Sequence, residues 1–331
     1  MTSVHEAIRY AGRPIELNAK AGDHVLIVSD LETPKEIVDA LTSAAIALGH
    51  EVSLAIYAAD LQSSSEPPRT VSDAMAASDI ALLATRRGLA HTAATLNAAK
   101  SGTRCVFMEG LTLNMLCHGA ATADYDRVGQ LGSRIAAKWN AGSTVRVRSS
   151  LGGDLVAGIA GRRSWEMAGR VFRGDWFGLS GCCAFPDGEC GLAPLEGSAN
   201  GTVVFDMSTQ SLGPLSEPIA LEVIDSRIVE VRGGRQADQL RAELETAGDA
   251  NAYFCPAEIA IGINDAAQET GLLREDKKLL GTCHIAYGAN SDIGGHIESA
   301  LHIDGLIRKP TIEIDGEAIV VDGVIVPALA G

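Results

Sequence analysis

A strand–helix–strand pattern near the N-terminus constrains the fold more than any other feature. Residues 24–29 (HVLIVS) form a short apolar run that ends in a turn signal. Thr33-Pro34 predicts a helix start, because Pro is favoured at the first helical position. Apolar residues follow at helical spacing, and residues 51–57 (EVSLAIY) predict the next strand. Such a unit requires two parallel strands joined by a right-handed crossover.

The alternation continues to about residue 145. Beyond a Ser- and Pro-rich loop at 61–70, the pattern predicts helices at 71–77 and 92–99 and strands at 80–85 and 104–108. Residues 1–145 are therefore predicted to form a doubly wound open α/β domain. The first strand is not followed by G-x-G-x-x-G, and the chain has no P-loop motif, which argues against a dinucleotide or P-loop nucleotide site.

From about residue 146 the chain carries signals of β-hairpins. Gly152-Gly153 predicts one tight turn, and Asp-Gly pairs at 315–316 and 322–323 predict two more. Residues 239–246 predict a short helix. We expect residues 146–331 to form a β-rich, mostly antiparallel, metal-binding catalytic domain, so the predicted fold class is α/β plus α+β.

Composition and charge exclude some classes of partner. The formal net charge is -15, which argues against nucleic-acid or anionic-membrane binding, since both need basic patches. The N-terminus has no apolar signal region, and no apolar run is long enough to span a membrane. The seven cysteines lack zinc-ribbon or thioredoxin spacing, which predicts reduced thiols in a cytoplasmic protein.

Residues 281–310 contain three of the eight histidines and the strongest candidate for a metal site. If residues 301–306 form a strand, His302 and Asp304 project from the same face, because alternate residues share a face. Imidazole and carboxylate together suit a divalent metal, and burying the pair without a partner would be costly. We expect His296, which lies after a Gly-Gly turn, to have a loop or substrate-side role.

Three further side chains with metal-ligand chemistry lie at turns or strand ends, namely Glu189, Glu258 and His284. Each has a structural alternative: an exposed turn carboxylate, a strand-end surface residue and a satisfied core histidine, respectively. Together with His302 and Asp304 they would suit two divalent metals that share a carboxylate, polarise a carbonyl and activate water. Arg308 and Lys309 either bind a substrate carboxylate or end a strand in solvent.

Four segments of the second half resemble, in this order, the thermophilic-type aminopeptidase family, that of leucyl aminopeptidase T. They are PDGE to GTVVFD at 186–206, EIAIGIN at 258–264, LLREDKKLLGTCHIAYG at 272–288 and LHIDGLIRKPTIEIDG at 301–316. The opening AGDHVLIVSD is similar too. The resemblance implies a homodimer of two-domain subunits with two divalent ions (Zn, Co or Mn) per chain. It places the metal ligands on Glu189, Glu258, His284, His302 and Asp304.

The chain departs from that family between its two ligand histidines. A family tyrosine beyond the first histidine is replaced by residues 289–292, although Tyr287 is close, and the segment from His284 to His302 is short. These departures bear on the peptide-binding pocket more than on the metal site. The leading hypothesis is a metallohydrolase that cleaves an amide or short peptide with a metal-activated water. Glu189 or Glu258 would be its general base.

The chain also resembles distant relatives of that family, the bacterial dihydroxypyridine ring-opening dioxygenases. These use one Fe(II) held by two histidines and one carboxylate. His302 and Asp304 would supply two of the three ligands, whereas Glu258 stands where the third, a histidine, is expected. His284 or His296 would then complete the triad. This is the alternative hypothesis, and a non-catalytic protein with a vestigial site is the third.

Overall fold

The computed structural model describes residues 4–59, 66–90, 92–172 and 180–330, with side chains from Glu6 onward. Residues 61–65 of the predicted loop at 61–70 lie outside the described residues. By contacts the chain divides into two units, Met1–Ala123 with Met167–Asp187, and Asp124–Glu166 with Gly188–Gly331. Each unit is therefore assembled from two stretches of chain. The predicted domain boundary between residues 145 and 146 stays a prediction.

The helices and strands follow one another along four stretches of the chain. Residues 4–123 contain α1 (Val4–Ala11), α2 (Arg13–Asn18), β1 (His24–Asp30), α3 (Lys35–Ala47), β2 (Glu51–Tyr57), α4 (Arg69–Ala76), β3 (Ile80–Ala84), α5 (Ala93–Lys100), β4 (Arg104–Phe107), α6 (Leu113–His118) and a 3-10 helix (Ala120–Thr122). Residues 124–187 contain α7 (Tyr125–Ala141), β5 (Thr144–Arg148), β6 (Asp154–Gly158), β7 (Trp165–Met167) and β8 (Cys182–Ala184). Residues 188–262 contain β9 (Glu189–Leu192), β10 (Asn200–Phe205), β11 (Ser208–Thr209), β12 (Gly213–Pro214), β13 (Ile219–Ile224), β14 (Arg227–Arg232), α8 (Arg235–Thr246), a 3-10 helix (Ala250–Tyr253) and β15 (Glu258–Gly262). The remainder contains α9 (Leu273–Asp276), β16 (Cys283–Gly288), β17 (His302–Ile307), β18 (Thr311–Ile314), β19 (Glu317–Val321), β20 (Val324–Ile325) and α10 (Pro327–Ala330).

The first unit is built on a parallel sheet with the strand order β2-β1-β3-β4-β8. Parallel pairing of β1 with β2 across α3 confirms the predicted strand–helix–strand unit. The order is that of a doubly wound sheet, and its central strands are apolar because both faces are covered. The last strand, β8, comes from residues 182–184, which the sequence pattern did not predict as a member of this sheet.

The second unit contains an eight-stranded sheet of order β14-β13-β10-β6-β5-β18-β19-β20, with antiparallel pairing. The hairpin predicted at Gly152-Gly153 is confirmed, since β5 pairs with β6. The two Asp-Gly hairpins are confirmed as well. Asp322 and Gly323 have φ of 47° and 80°, the positive values that a tight two-residue turn requires.

A seven-stranded sheet of order β12-β11-β17-β16-β15-β9-β7 carries the candidate metal ligands. One of its faces packs through β9 against α7, a helix that sequence analysis did not predict. This helix begins after Asp124, whose side chain accepts the backbone N–H groups of Asp126 and Arg127. On the strands, Ile259 and Ile261 alternate with the polar residues of the other face. The sheet thus has an apolar face and a polar face.

The parallel sheet with large antiparallel sheets confirms the mixed α/β class predicted with a β-rich second part. Within the part of the chain that the structure describes, no helix is long and apolar enough to cross a bilayer.

Candidate metal centre

The register of three neighbouring strands places the candidate ligands on one face. Glu258 on β15 lies opposite Ala286 on β16, which lies opposite Asp304 on β17. His302 is two residues before Asp304 on the same strand, so it projects from the same face. His284 is two residues before Ala286 and also shares this face. The strand predicted at 301–306 is confirmed as β17.

Glu189 reaches the same face from the next strand. It opens β9 and pairs with Gly262, which is two residues beyond Ala260 on β15. Small residues occupy the positions between the ligands, and Gly191 packs so closely that a Cβ there would lie 2.4 Å from the Ala260 Cβ. The strands can therefore approach closely while the long polar side chains project from them.

Three side chains offer donor atoms close enough to hold one ion. His302 Nε2 lies 3.3 Å from Glu258 Oε2 and 3.4 Å from Asp304 Oδ1. One donor atom from each of the three residues lies within 4.8 Å of the others. Both carboxylates are buried, whereas His302 is partly exposed. The group combines one imidazole with two carboxylates.

The orientation of His302 is fixed by its other ring nitrogen. Nδ1 lies 2.7 Å from the carbonyl oxygen of Ala289. A carbonyl only accepts hydrogen bonds, so Nδ1 carries a proton and Nε2 is the ring nitrogen that faces the carboxylates. Outer partners of this kind orient metal-ligating histidines.

His284 is completely buried and lies between the two glutamates. Its Nε2 is 2.9 Å from Glu258 Oε1 and 3.7 Å from Glu189 Oε2. Among the described residues, its Nδ1 has no hydrogen-bond partner. The structure therefore brings all five predicted residues together, but His284 is hydrogen-bonded to Glu258 rather than being part of the three-donor group.

Two lysines that sequence analysis missed complete the centre. Lys278 Nζ lies 2.6 Å from Glu189 Oε1. Lys277 Nζ lies 3.3 Å from Asp304 Oδ2 and 3.8 Å from Glu189 Oε1. The signal was present in the sequence as a basic pair shortly before His284, although only the fold shows where the side chains point.

The lysine segment is held against β15 by its backbone. The N–H of Asn264 donates to the Lys278 carbonyl at 2.9 Å. A Cβ at Gly262 would lie 2.2 Å from the Leu279 carbonyl oxygen. Glycine is needed at this position because the segment that carries the lysines comes so close.

The charges around the centre lower the pKa values of all three carboxylates. Burial raises the pKa of Glu258, but hydrogen bonds from His284 and His302 outweigh it and lower this pKa to about 2. At Asp304 burial alone would also raise the pKa, but Lys277 and His302 hold it well below its usual value. The pKa of Glu189 is lowered against burial by Lys277 and Lys278. All three carboxylates are therefore ionised near neutral pH.

The pKa of His302 shifts the other way. Burial alone would lower it, but the negative carboxylates of Asp304 and Glu258 beside its ring raise it well above the usual value. The surroundings thus favour a positive charge at His302 Nε2. A divalent cation that replaced this proton would supply the positive charge that the two carboxylates favour.

Other residues considered from the sequence lie outside this arrangement. Tyr287 is on the opposite face of β16 from His284, and its hydroxyl lies 3.4 Å from Glu243. His296 is exposed, and its backbone N–H donates to Glu196. Arg308 forms an ion pair with Glu269, which supports a structural role for that arginine.

Comparisons with known proteins give a family and two relatives of known structure. The family described as "NicX: 2,5-dihydroxypyridine 5,6-dioxygenase" matches residues 15–327. A curated 2,5-dihydroxypyridine 5,6-dioxygenase from Pseudomonas putida KT2440 is 28% identical over 154 residues. That alignment covers 43% of this chain and 44% of the relative, so it spans less than half of either.

The similar structures agree with the family in fold. The 2,5-dihydroxypyridine dioxygenase of P. putida KT2440 gives a TM-score of 0.81 at 20% identity, covering 100% of both chains. Wild-type AmpT from Thermus thermophilus gives 0.65 at 17% identity, covering 97% of this chain and 98% of AmpT. The predicted resemblance to the dioxygenase relatives is confirmed, whereas the relation to the aminopeptidase is one of fold.

Proposed function

Because this chain belongs to the family of NicX, 2,5-dihydroxypyridine 5,6-dioxygenase, we propose that it is a metal-dependent dioxygenase. Its substrate would be a dihydroxylated pyridine or a similar N-heteroaromatic, whose ring it opens. The observation that carries the proposal is that residues 15–327 match this family and include all of the clustered donors. The convergence of Glu258, His302 and Asp304 supports it independently.

The donor atoms fit a divalent cation. Two ionised carboxylates and the Nε2 of an imidazole face one another, and Asp304 Oδ1 accepts no hydrogen bond from any described residue although it is buried. Such a set suits hard to borderline ions such as Fe(II) or Mn(II). It differs from a two-histidine, one-carboxylate triad, because Glu258 takes the place of one imidazole. We propose Fe(II) as the metal, held by Glu258, His302 and Asp304.

The side chains around the metal would each have a defined task. When bound, the metal would supply a coordination site for dioxygen and for a ring hydroxyl group. The Ala289 carbonyl holds His302 in the ligating tautomer. Lys277 is the less buried lysine and presents its ammonium beside Asp304, where it can bind an ionised ring hydroxyl.

The predicted general base needs a different assignment in this proposal. Glu258 acts as a ligand, and the pKa of Glu189 is lowered by two lysines, which makes it a weak proton acceptor near neutral pH. An ionised substrate hydroxyl held by Lys277 would reduce the need for a base.

The hydrolase hypothesis has support from fold alone, through the similarity to AmpT. The two-metal site, the homodimer and the cytoplasmic location stay predictions. Oxygen uptake separates the two activities, because amide hydrolysis consumes water and no dioxygen.

The test uses protein purified without chelator and reloaded anaerobically with Fe(II). We expect 2,5-dihydroxypyridine to be consumed with one dioxygen per ring, measured by an oxygen electrode and by loss of the substrate absorbance. His302→Ala should abolish both signals. His24→Ala is the matched control, since His24 bonds Ser53 within the first unit, and it should retain them. Hydrolysis of leucine p-nitroanilide without oxygen uptake would overturn the proposal in favour of the hydrolase.

A further inference from the structure

We infer that the Lys278 ammonium takes the place of a second metal ion, so that Glu189 is the counter-ion of a lysine and not a metal ligand. The inference rests on the proposal that Glu258, His302 and Asp304 hold one metal. It goes further because it gives a role to Lys278 and Glu189, which do not bind this metal.

Lys278 is fixed and buried at the centre. It is 2% exposed, and long charged side chains are rarely buried so fully unless they are paired. Its Nζ contacts Glu189 Oε1 at 2.6 Å. Its backbone N–H donates to the Glu275 carbonyl, and its carbonyl accepts from Asn264. The ammonium is therefore held at one position rather than swinging through solvent.

The Lys278 ammonium lies beside the side chains that a second metal ion would need as ligands. Among the described residues of the centre, the donors outside the proposed triad are Glu189 and His284, whose Nε2 lies 3.7 Å from Glu189 Oε2. Glu189 Oε1 is already occupied by Lys278. The His284 Nε2 is occupied as well, since it is hydrogen-bonded to Glu258 Oε1 at 2.9 Å. A second cation bound between His284 Nε2 and Glu189 Oε2 would lie beside the Lys278 ammonium and would have to break the contact between His284 and Glu258.

The charge balance favours one ion. Three carboxylates and the ammonium groups of Lys277 and Lys278 together carry a net charge of −1 once a bound metal has displaced the proton of His302. One divalent ion makes the centre +1, which a single anionic substrate oxygen would neutralise. A second divalent ion would make it +3 in a buried space, where like charges repel strongly.

The test is a calorimetric titration with Mn(II), with the bound metal counted by elemental analysis. Wild-type protein should bind one Mn(II) per chain. Lys278→Met removes the charge with little change of volume and frees Glu189, so a second binding event should appear. Lys100→Met, which removes an exposed lysine of the first unit, is the control and should bind one ion.

Glu189→Gln gives the reciprocal result and does not depend on Lys278→Met folding. It should keep one Mn(II) per chain, with its affinity changed less than tenfold. The double variant Lys278→Met/Glu189→Gln leaves no buried unpaired charge, and it should also bind one ion.

Two Mn(II) in wild type, or loss of an ion in Glu189→Gln, would overturn the inference. Wild-type protein that binds no Mn(II) would remove both the metal centre and this inference. One bound ion without ring opening would overturn the proposed function and leave the role of Lys278 standing.

Discussion

Two buried aspartates, Asp30 and Asp304, show how differently this chain uses the same side chain. Asp30 ends β1 in the parallel sheet, and its carboxylate accepts from the backbone N–H groups of Thr33 at 2.8 Å and Arg86 at 2.6 Å. Asp304 on β17 is equally buried, but its partners are side chains, Lys277 at 3.3 Å and His302 at 3.4 Å.

The difference separates a structural carboxylate from a candidate ligand. Backbone donors are fixed by the fold, so the lone pairs of Asp30 are used within the first unit. Around Asp304, the side chains leave one buried oxygen without a hydrogen bond from any described group. Burying such an atom is costly unless something else binds it, and a cation is the group that the neighbouring donors suit.

Asp304→Asn should produce the largest effect. The amide keeps the shape but loses the negative charge and one ligand oxygen, so Mn(II) affinity should fall more than about 100-fold, beyond the loss typical of outer partners. In the presence of a chelator, the free energy of unfolding should change by no more than about 1 kcal/mol. The loss of the Lys277 contact is offset because one of three crowded negative charges is removed. An unchanged titration would show that Asp304 is not a ligand.

Asp30→Asn should show the opposite pattern. Its new amide group would face backbone N–H donors, so the free energy of unfolding should fall by about 1–3 kcal/mol. Mn(II) affinity and stoichiometry should match wild type. Denaturant titration and calorimetry on the same sample measure both quantities. Loss of metal in this variant would erase the distinction between the two carboxylates.

Sequence analysis predicted the structural features that depend on the local pattern of residues. The β1–α3–β2 unit and the Asp-Gly hairpins follow from residue spacing and turn chemistry within a few positions. The His302/Asp304 pair follows from the two-residue period of a strand. Such features need no knowledge of distant contacts.

The rest depends on contacts between segments far apart in the chain. Lys278 reaches Glu189 only because Gly262 lets the following turn approach β15. Strand β8 joins a sheet whose other members all precede residue 108. The contacts of Glu258 with His284 and His302 likewise depend on the pairing of three strands, which no local pattern encodes.

Proton release on metal binding would sharpen the description of His302. The carboxylates of Asp304 and Glu258 raise its pKa against the effect of burial, so near neutral pH it carries a proton that a metal must displace. About one proton should be released per Mn(II), and affinity should rise about tenfold per pH unit until the His302 pKa is passed. Calorimetry in buffers of different ionisation enthalpy measures the release. No release would mean that His302 is not a ligand.

Asn290→Ala should have the smallest effect, because Asn290 influences the metal only through the turn that positions His302. Asn290 is 0% exposed, and its side chain accepts from the Ile297 N–H at 2.7 Å and donates to Glu196 at 3.3 Å. These bonds hold the turn whose Ala289 carbonyl orients His302.

With that anchor lost, His302 should be less well ordered, and Mn(II) affinity should fall about threefold to tenfold, less than for a direct outer partner. Asn251→Ala is the matched control. It removes an asparagine that bonds the Glu298 carbonyl at 2.9 Å, at the other end of the same segment, and it should leave affinity unchanged. Equal losses in both variants would mean that the segment as a whole stabilises the centre. A loss in Asn290→Ala alone would assign the effect to the Ala289 carbonyl, and hence to the tautomer of His302.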